Sequence, residues 1–280
     1  MTVAPGRDVA AGWYPDPSGQ PGWRWWDGGR WASEPGGYGY VLSLPDPEPV
    51  GGLPLKALWY AAGGLLGGFV LASVVSVLCL AAGFDAYSPL TVVTGLFALW
   101  LFLAGAAVLA SKRLGTGSLT RDYRWGFRPI DAARGLGGSI VGRLAVTVVT
   151  GVILAIAGHK VTGNTEILKQ QQGHPLHLVV VGAGAVIGAP IVEELFFRGL
   201  VLRSLASKIS YAWAVVIQGL LFGLAHAQPD KDGWTVLAVV AGTASFGMVQ
   251  GYFASRWRLG ALMVSHGLYN LLPVLIIAFS

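Results

Sequence analysis

The run Ala189-Pro190-Ile191-Val192-Glu193-Glu194-Leu195-Phe196-Phe197-Arg198-Gly199 places two carboxylates and a guanidinium inside an otherwise apolar segment. At bilayer depth each such charge costs about 2.5–3.5 kcal/mol on insertion scales, so all three need a reason to be there. Of the fourteen acidic residues in the chain, these two alone fall within an apolar run. Glu194 and Arg198 are four residues apart, share a helical face and can pair. Glu193 is turned about 100° away and lacks that partner. The expected division of labour is a structural ion pair between Glu194 and Arg198, with Glu193 facing a cavity and suited to proton transfer. These charges alone could instead form a buried brace between helices, or sit at the cytoplasmic interface if the segment ends earlier. Two further sites favour chemistry. A later apolar run ends Phe222-Gly223-Leu224-Ala225-His226, and the last one contains His266-Gly267-Leu268-Tyr269-Asn270. His266 and Asn270 share a face by the four-residue spacing. Together with Glu193 and His226 they supply a base, a second proton carrier and hydrogen-bond donors for an oxyanion.

Three separate apolar elements must hold these groups. The 280-residue chain is 54% hydrophobic and 12% charged, and its mean hydropathy is +0.59, far above what a soluble domain needs. A helix requires about 20 mostly apolar residues to cross the hydrocarbon core, because its backbone must satisfy its own hydrogen bonds there. Seven segments qualify: Ala57 to Gly83, Ser88 to Ala110, Gly135 to Gly158, His177 to Leu202, Tyr211 to Ala227, Trp234 to Ala254 and Gly260 to Phe279. The fold expected is an all-α polytopic bundle of about seven transmembrane helices, with a small Trp-rich module before it. Arg143, near the start of the third segment, must snorkel to the interface or line a cavity.

Charge placement supports this count. With the N-terminus cytoplasmic, the basic loops fall inside: Lys112, Arg113, Arg121, Arg124, Arg128 and Arg134 after helix 2, Arg203 and Lys208 after helix 4, Arg256 and Arg258 after helix 6. The outer loops then hold only Lys160, Lys169 and Lys231, as the positive-inside rule requires. The expected location is the cell membrane, multi-pass, with the C-terminus external. On this topology His226 lies near the outer end of its helix, whereas Glu193 and His266 lie nearer the inner ends of theirs. The basic residues are scattered among short loops rather than gathered on one face, which argues against nucleic acid as a partner. Two GxxxG pairs in helix 1, Gly63 with Gly67 and Gly64 with Gly68, read as helix-packing positions.

Residues 1–35 form a Trp-rich module and residues 36–56 a Pro/Gly-rich linker, ahead of the transmembrane domain 57–280. The module carries Gly12-Trp13-Tyr14-Pro15-Asp16-Pro17 and then Trp23, Trp25, Trp26, Asp27, Gly28 and Trp31. Dense aromatics set between turn formers can hold a very small fold together. About residues 11–34 resemble a short Trp-rich domain of unknown function attached to many actinobacterial membrane proteins. That resemblance implies no activity, and the module's partner is not readable.

The ordered set Glu-Glu-x-x-x-Arg, Phe-x-x-x-His and His-x-x-x-Asn, with His226 lying 33 residues beyond Glu193 (226 − 193), resembles the CPBP intramembrane protease family. This family of CAAX proteases and bacteriocin-processing proteins includes the Rce-type prenyl endopeptidases and the bacterial Abi proteins. The resemblance covers about residues 90–280. It implies that Glu193 and His226 activate a water for attack on a peptide carbonyl while His266 and Asn270 stabilise the oxyanion. Glu194, Arg198 and Phe222 carry over as supporting members.

The family is widely called a metalloprotease. Glu193, His226 and His266 could form the three-ligand set of a catalytic zinc, yet no His-Glu-x-x-His occurs, and a glutamate mechanism without a metal cofactor is favoured. The expected activity is hydrolysis of a peptide bond in a membrane-associated protein or peptide, with the lipid bilayer as the other partner. The alternatives are a proton-linked transporter, for which intramembrane Glu, Arg and His would act as a relay, and a non-catalytic scaffold or immunity protein. Gly-x-Ser-Gly and paired intramembrane aspartates are both missing, which argues against the serine and aspartyl types. Ser139 and Ser245 read as packing residues, and His174 and His177 as interfacial.

Overall fold

A computed structural model describes residues 12–16, 23–26, 31, 53–158 and 165–280. The chain divides into two compact units, Met1–Asp46 and Pro47–Ser280. In the first, β1 (Gly12–Pro15) and β2 (Trp23–Trp26) pair antiparallel, with Trp13 opposite Trp25 and Tyr14 opposite Arg24. The Tyr14 ring meets Trp31 edge-on at 6.3 Å. Residues 36–52, most of the segment read as linker, and Lys160 lie outside the described residues. Leu53, 2% exposed, already packs into the core of the second unit.

The second unit is an all-α bundle. A 3-10 turn, Leu55–Ala57, leads into α1 (Leu58–Ala81), followed by α2 (Pro89–Leu114), a short α3 (Leu119–Tyr123), α4 (Ile130–Ala157), a one-turn α5 (Glu166–Lys169), a composite α6 (Pro175–Ala206), α7 (Tyr211–Leu224), α8 (Gly233–Ala254) and α9 (Leu259–Ala278). Among the described residues six helices are long and apolar enough to cross a membrane. The fifth predicted segment, Tyr211 to Ala227, is realised as α7, which has 14 residues. At 1.5 Å per residue it is about 21 Å long, short of the ~30 Å hydrocarbon core. Polar caps start several helices: Ser88 Oγ accepts from Thr91 N ahead of Pro89, and Asp232 Oδ1 accepts from Trp234 N and Thr235 N at 3.1 Å each. Such caps satisfy the first backbone donors, which have no partner within the helix.

Helix α6 is not uniform. It is π-helical over Gly184–Gly188 and again over Glu194–Val201. Each π stretch offsets the regular hydrogen-bond ladder, a device frequent at functional sites. The short α7 lies close against α8, where a side chain at Gly223 would meet Val240 O at 2.4 Å and one at Gly247 would meet Gly219 Cα at 3.0 Å. Small residues let backbones approach where lipid supplies no hydrophobic drive between helices. In α1, Gly64, Gly67 and Gly68 press on Ala106, Phe102 and Leu99 of α2, whereas Gly63 faces open space and does not serve as the packing position read for it.

The loop read as a simple basic connector between helices 2 and 3 is folded into the core. Tyr123 and Asp122 of α3 are buried, and Tyr123 donates its hydroxyl to Ala107 O at 2.7 Å. Asp122 accepts from Ser111 Oγ at 2.5 Å and from Thr116 N and Oγ1 at 2.9 and 2.8 Å. Burial pushes its carboxyl up, but these hydrogen bonds outweigh burial and hold it below the ordinary value of 3.8. Arg203, expected in a cytoplasmic loop, instead lies within α6 at 2% exposure. Ser139 is buried and Ser245 bonds Gly242 O, both in the packing roles read for them, and His174 stacks on His177 at 5.2 Å.

Candidate functional site

Glu193 closes a short α-helical stretch, Ala189–Glu193, at the point where α6 passes into its second π segment. One residue on, Glu194 faces the protein interior and is fully buried, as is Arg198 one turn later. Arg198 Nη1 donates to Glu194 Oε1 at 3.0 Å, the pairing that the four-residue spacing predicts. The guanidinium lies 4.4 Å over the Phe222 ring, and its Nη2 reaches Gly247 O at 3.4 Å, a carbonyl that also accepts from Gln218 Nε2 at 2.7 Å. The spacing alone did not reveal the second occupant of Glu194 Oε1: His266 Nδ1, from α9, bonds it at 2.9 Å.

The other histidine arrives from the blunt end of α7. That helix stops at Leu224, and His226, two residues on, comes within 3.9 Å of Glu193, so the mismatch of depth expected from a full-length fifth span does not arise. Its Nδ1 bonds Phe222 O, one of the last carbonyls of α7, at 2.8 Å, so the residue caps the helix it follows. A carbonyl only accepts, so His226 Nδ1 carries a proton, and the same argument applies to His266 Nδ1 against an ionised Glu194. Both rings therefore present Nε2 to the remaining space, and both Nε2 atoms face one oxygen. His226 Nε2 lies 3.9 Å and His266 Nε2 4.0 Å from Glu193 Oε2. That oxygen is buried and has no hydrogen-bond partner among the described residues. The separations exceed a direct hydrogen bond and suit an intervening water.

These three side chains line a cavity of about 840 Å³, together with Asn270, Phe222, Phe246, Trp100, Arg143 and Tyr269. Glu193 and His226 keep 15% and 23% side-chain exposure, enough to be reached from it. Asn270 does not touch the other three through any hydrogen bond. Its Nδ2 donates instead to Ala185 O at 2.7 Å, within the first π stretch, and its second N–H has no partner among the described residues. The π geometry explains the arrangement, since it leaves that carbonyl open to a side chain. Glycine at 267 permits it, because a Cβ there would sit 2.7 Å from Val186 O. Arg143 takes the cavity-lining option rather than the interface, with its guanidinium 4.5 Å above the Tyr269 ring and Nη2 bonded to Tyr269 O. The lining also includes the polar residues Thr165, Glu166, Gln228, Asp230 and Lys231.

Two imidazole nitrogens and a carboxylate oxygen form a donor set suited to zinc, with Glu194 and Phe222 O behind the two rings as outer partners. Ligands of a tetrahedral zinc stand about 3.3–3.5 Å apart, given bond lengths near 2.1 Å. The separations of 3.9 and 4.0 Å are wider, so as placed the three do not close on that ion. Among the described residues no group of three or more His, Cys, Asp or Glu is arranged to hold a metal.

Residues 175–272 match the family model of the Rce1-like type II CAAX prenyl endopeptidases. The matched segment holds every candidate catalytic residue, from Glu193 to Asn270. Residues 11–35 match DUF2510, a family of unknown function. No curated protein and no solved structure matches the chain.

Gln218 and Gln250 are further polar participants that spacing did not single out. Gln218 shares the Gly247 carbonyl with Arg198, and Gln250 joins Leu262 O to Ser265 Oγ beside His266. Amides in apolar helices carry the same burial cost that drew attention to Glu193, and that cost was the available signal.

Proposed function

We propose that the protein is an intramembrane endopeptidase of the CAAX-protease type that hydrolyses a peptide bond in a membrane-associated protein or peptide. The observation that carries this reading is the convergence of His226 Nε2 and His266 Nε2 on Glu193 Oε2, at 3.9 and 4.0 Å, in the wall of a cavity. A water held between Glu193 Oε2 and His226 Nε2 gives up a proton to the carboxylate as its oxygen attacks the peptide carbonyl. The tetrahedral oxyanion accepts from the free N–H of Asn270 and from His266 Nε2, which donates only when the ring is doubly protonated because Nδ1 is committed to Glu194. Collapse breaks the carbon–nitrogen bond, and the proton held by Glu193 passes to the leaving amine, directly or through His226. Glu194 and Arg198 fix the His266 ring and the helix that carries Glu193. Phe222 supplies the carbonyl that orients His226 and the ring beneath Arg198.

In the cell membrane we place the N-terminus and the basic ends of the helices on the cytoplasmic side and the C-terminus outside. Residues 1–35 then form a cytoplasmic module and 57–280 the protease domain.

The test is reconstitution in liposomes with a library of membrane-embedded peptides, read by mass spectrometry. Wild type cleaves a subset, while Glu193→Ala and His226→Ala, checked for unchanged thermal unfolding, lose cleavage by 10²-fold or more, on the order expected for a general base. Full cleavage by either folded variant refutes the proposal. Proton uptake driven by a substrate gradient, without cleavage, would favour the transporter.

A further inference from the structure

Arg143 is a cavity cation that the proposed chemistry does not use. It shares one face of α4 with Val146, Thr150 and Leu154, all of which line the chamber. Of its five N–H donors, one bonds Tyr269 O, and this is its sole hydrogen bond among the described residues. No carboxylate among the described residues lies within 4.0 Å of it. Of the other acidic groups nearby, Asp230 pairs with Lys231 at 3.2 Å, Glu166 accepts from Gln170 at 3.0 Å, and Glu194 holds Arg198, while Glu193, which lines the same cavity, faces the two histidines. The guanidinium lies over Tyr269, which precedes Asn270 and stacks at 4.4 Å on Phe246, itself 5.2 Å from His266. A cation held by a ring and a carbonyl, with donors to spare, thus adjoins the candidate catalytic groups in a largely apolar chamber.

We propose that Arg143 is an anion-recognition residue that binds a carboxylate of the peptide substrate beside the scissile bond. The carboxylate is either a free C-terminus or an acidic side chain. A guanidinium offers a planar fork that matches a carboxylate through two parallel hydrogen bonds, and the largely apolar lining of the chamber strengthens that pairing relative to bulk water. The anchor on Tyr269 fixes the fork in advance, so little freedom is lost on binding. This inference deepens the endopeptidase reading and rests on it for the identity of the ligand as substrate.

The experiment measures binding of the full chain in detergent micelles to an N-acylated Ala/Leu tetrapeptide in three forms: the free acid, the C-terminal amide, and the amide with one glutamate. Wild type should bind at least one carboxylate form tenfold or more tightly than the plain amide, and which form does so identifies the source. In Arg143→Met the preference should fall to about one while the plain amide binds as before, a pattern that a general loss of packing would not produce. Arg143→Lys, which keeps the charge and loses the fork, should retain part of it. Equal binding of all three forms by wild type overturns the proposal, as does a preference that survives in Arg143→Met. Mass spectrometry of the recovered probes reads cleavage separately. Absent cleavage with an intact, Arg143-dependent preference would count against the endopeptidase reading alone, and cleavage without preference against this subsite alone.

Discussion

Removing the Glu194 carboxylate separates its structural role from the positioning role proposed for it through His266. Glu194 Oε1 accepts from Arg198 Nη1 at 3.0 Å and from His266 Nδ1 at 2.9 Å, and both charged side chains are fully buried. In Glu194→Leu the Arg198 guanidinium remains buried without a counter-charge, which costs about 3–5 kcal/mol. At about 2–4 °C per kcal/mol for a chain of this size, the unfolding midpoint should fall by roughly 6–20 °C. Replacing both partners, as Glu194→Leu with Arg198→Met, removes the stranded charge and keeps an apolar side chain against Phe222, so stability should return to within about 1.5 kcal/mol of wild type. Activity should not return, because His266 Nδ1 has lost the acceptor that aims its Nε2 at the cavity. Such outer partners of a working imidazole are worth about 10- to 100-fold. The assay is tryptophan-detected thermal unfolding in micelles, paired with cleavage of the reconstituted substrate. A double variant as unstable as the single one would refute the charge argument, and a stable, fully active double variant would refute the positioning argument.

Other outcomes follow from the same geometry. Nitrogen-15 NMR of labelled histidines should place the proton of neutral His226 and His266 on Nδ1, given their bonds to Phe222 O and Glu194 Oε1; protonated Nε2 in either neutral ring would contradict the arrangement. Gly267→Val should destabilise by about 1–3 kcal/mol, since a side chain there meets Val186 O at 2.7 Å, whereas Gly63→Val, facing open space, should stay within about 0.5 kcal/mol. The Asp122 carboxyl is held below 3.8 in the folded state, so its contribution is present above that value and is lost as pH falls through the folded pKa. Acid unfolding of Asp122→Ala should therefore show a flatter limb below about pH 4 than wild type, and identical limbs would remove Asp122 from the account.

Much of the bundle is legible because insertion is a property of each segment taken alone: about 20 apolar residues suffice, and the six long helices satisfy that. The Glu194–Arg198 pair is legible for the same reason, as a local spacing. Contacts between elements distant in sequence are not. The bond between His266 and Glu194 joins residues 72 positions apart, and hydropathy does not register it. The end of α7 at Leu224 was hidden because Ala225 continues the apolar run, while the choice between helix and cap rests on the His226 bond to Phe222 O. The π stretches of α6 leave no period strong enough to read, although they free the Ala185 carbonyl that holds Asn270. Arg203 and Tyr123 looked like loop residues because their burial depends on how the α3 segment folds back onto the bundle.

Activation of a water by Glu193 beside His226 and His266 is the central step of the proposed hydrolysis. The most direct measurement is quantitative mapping of new peptide N-termini in membranes of cells carrying wild type, Glu193→Ala or His226→Ala, with and without chelator. The prediction is a discrete set of termini from membrane proteins that is present with wild type, absent from both variants and retained under chelation. Termini that persist unchanged in folded Glu193→Ala would contradict it.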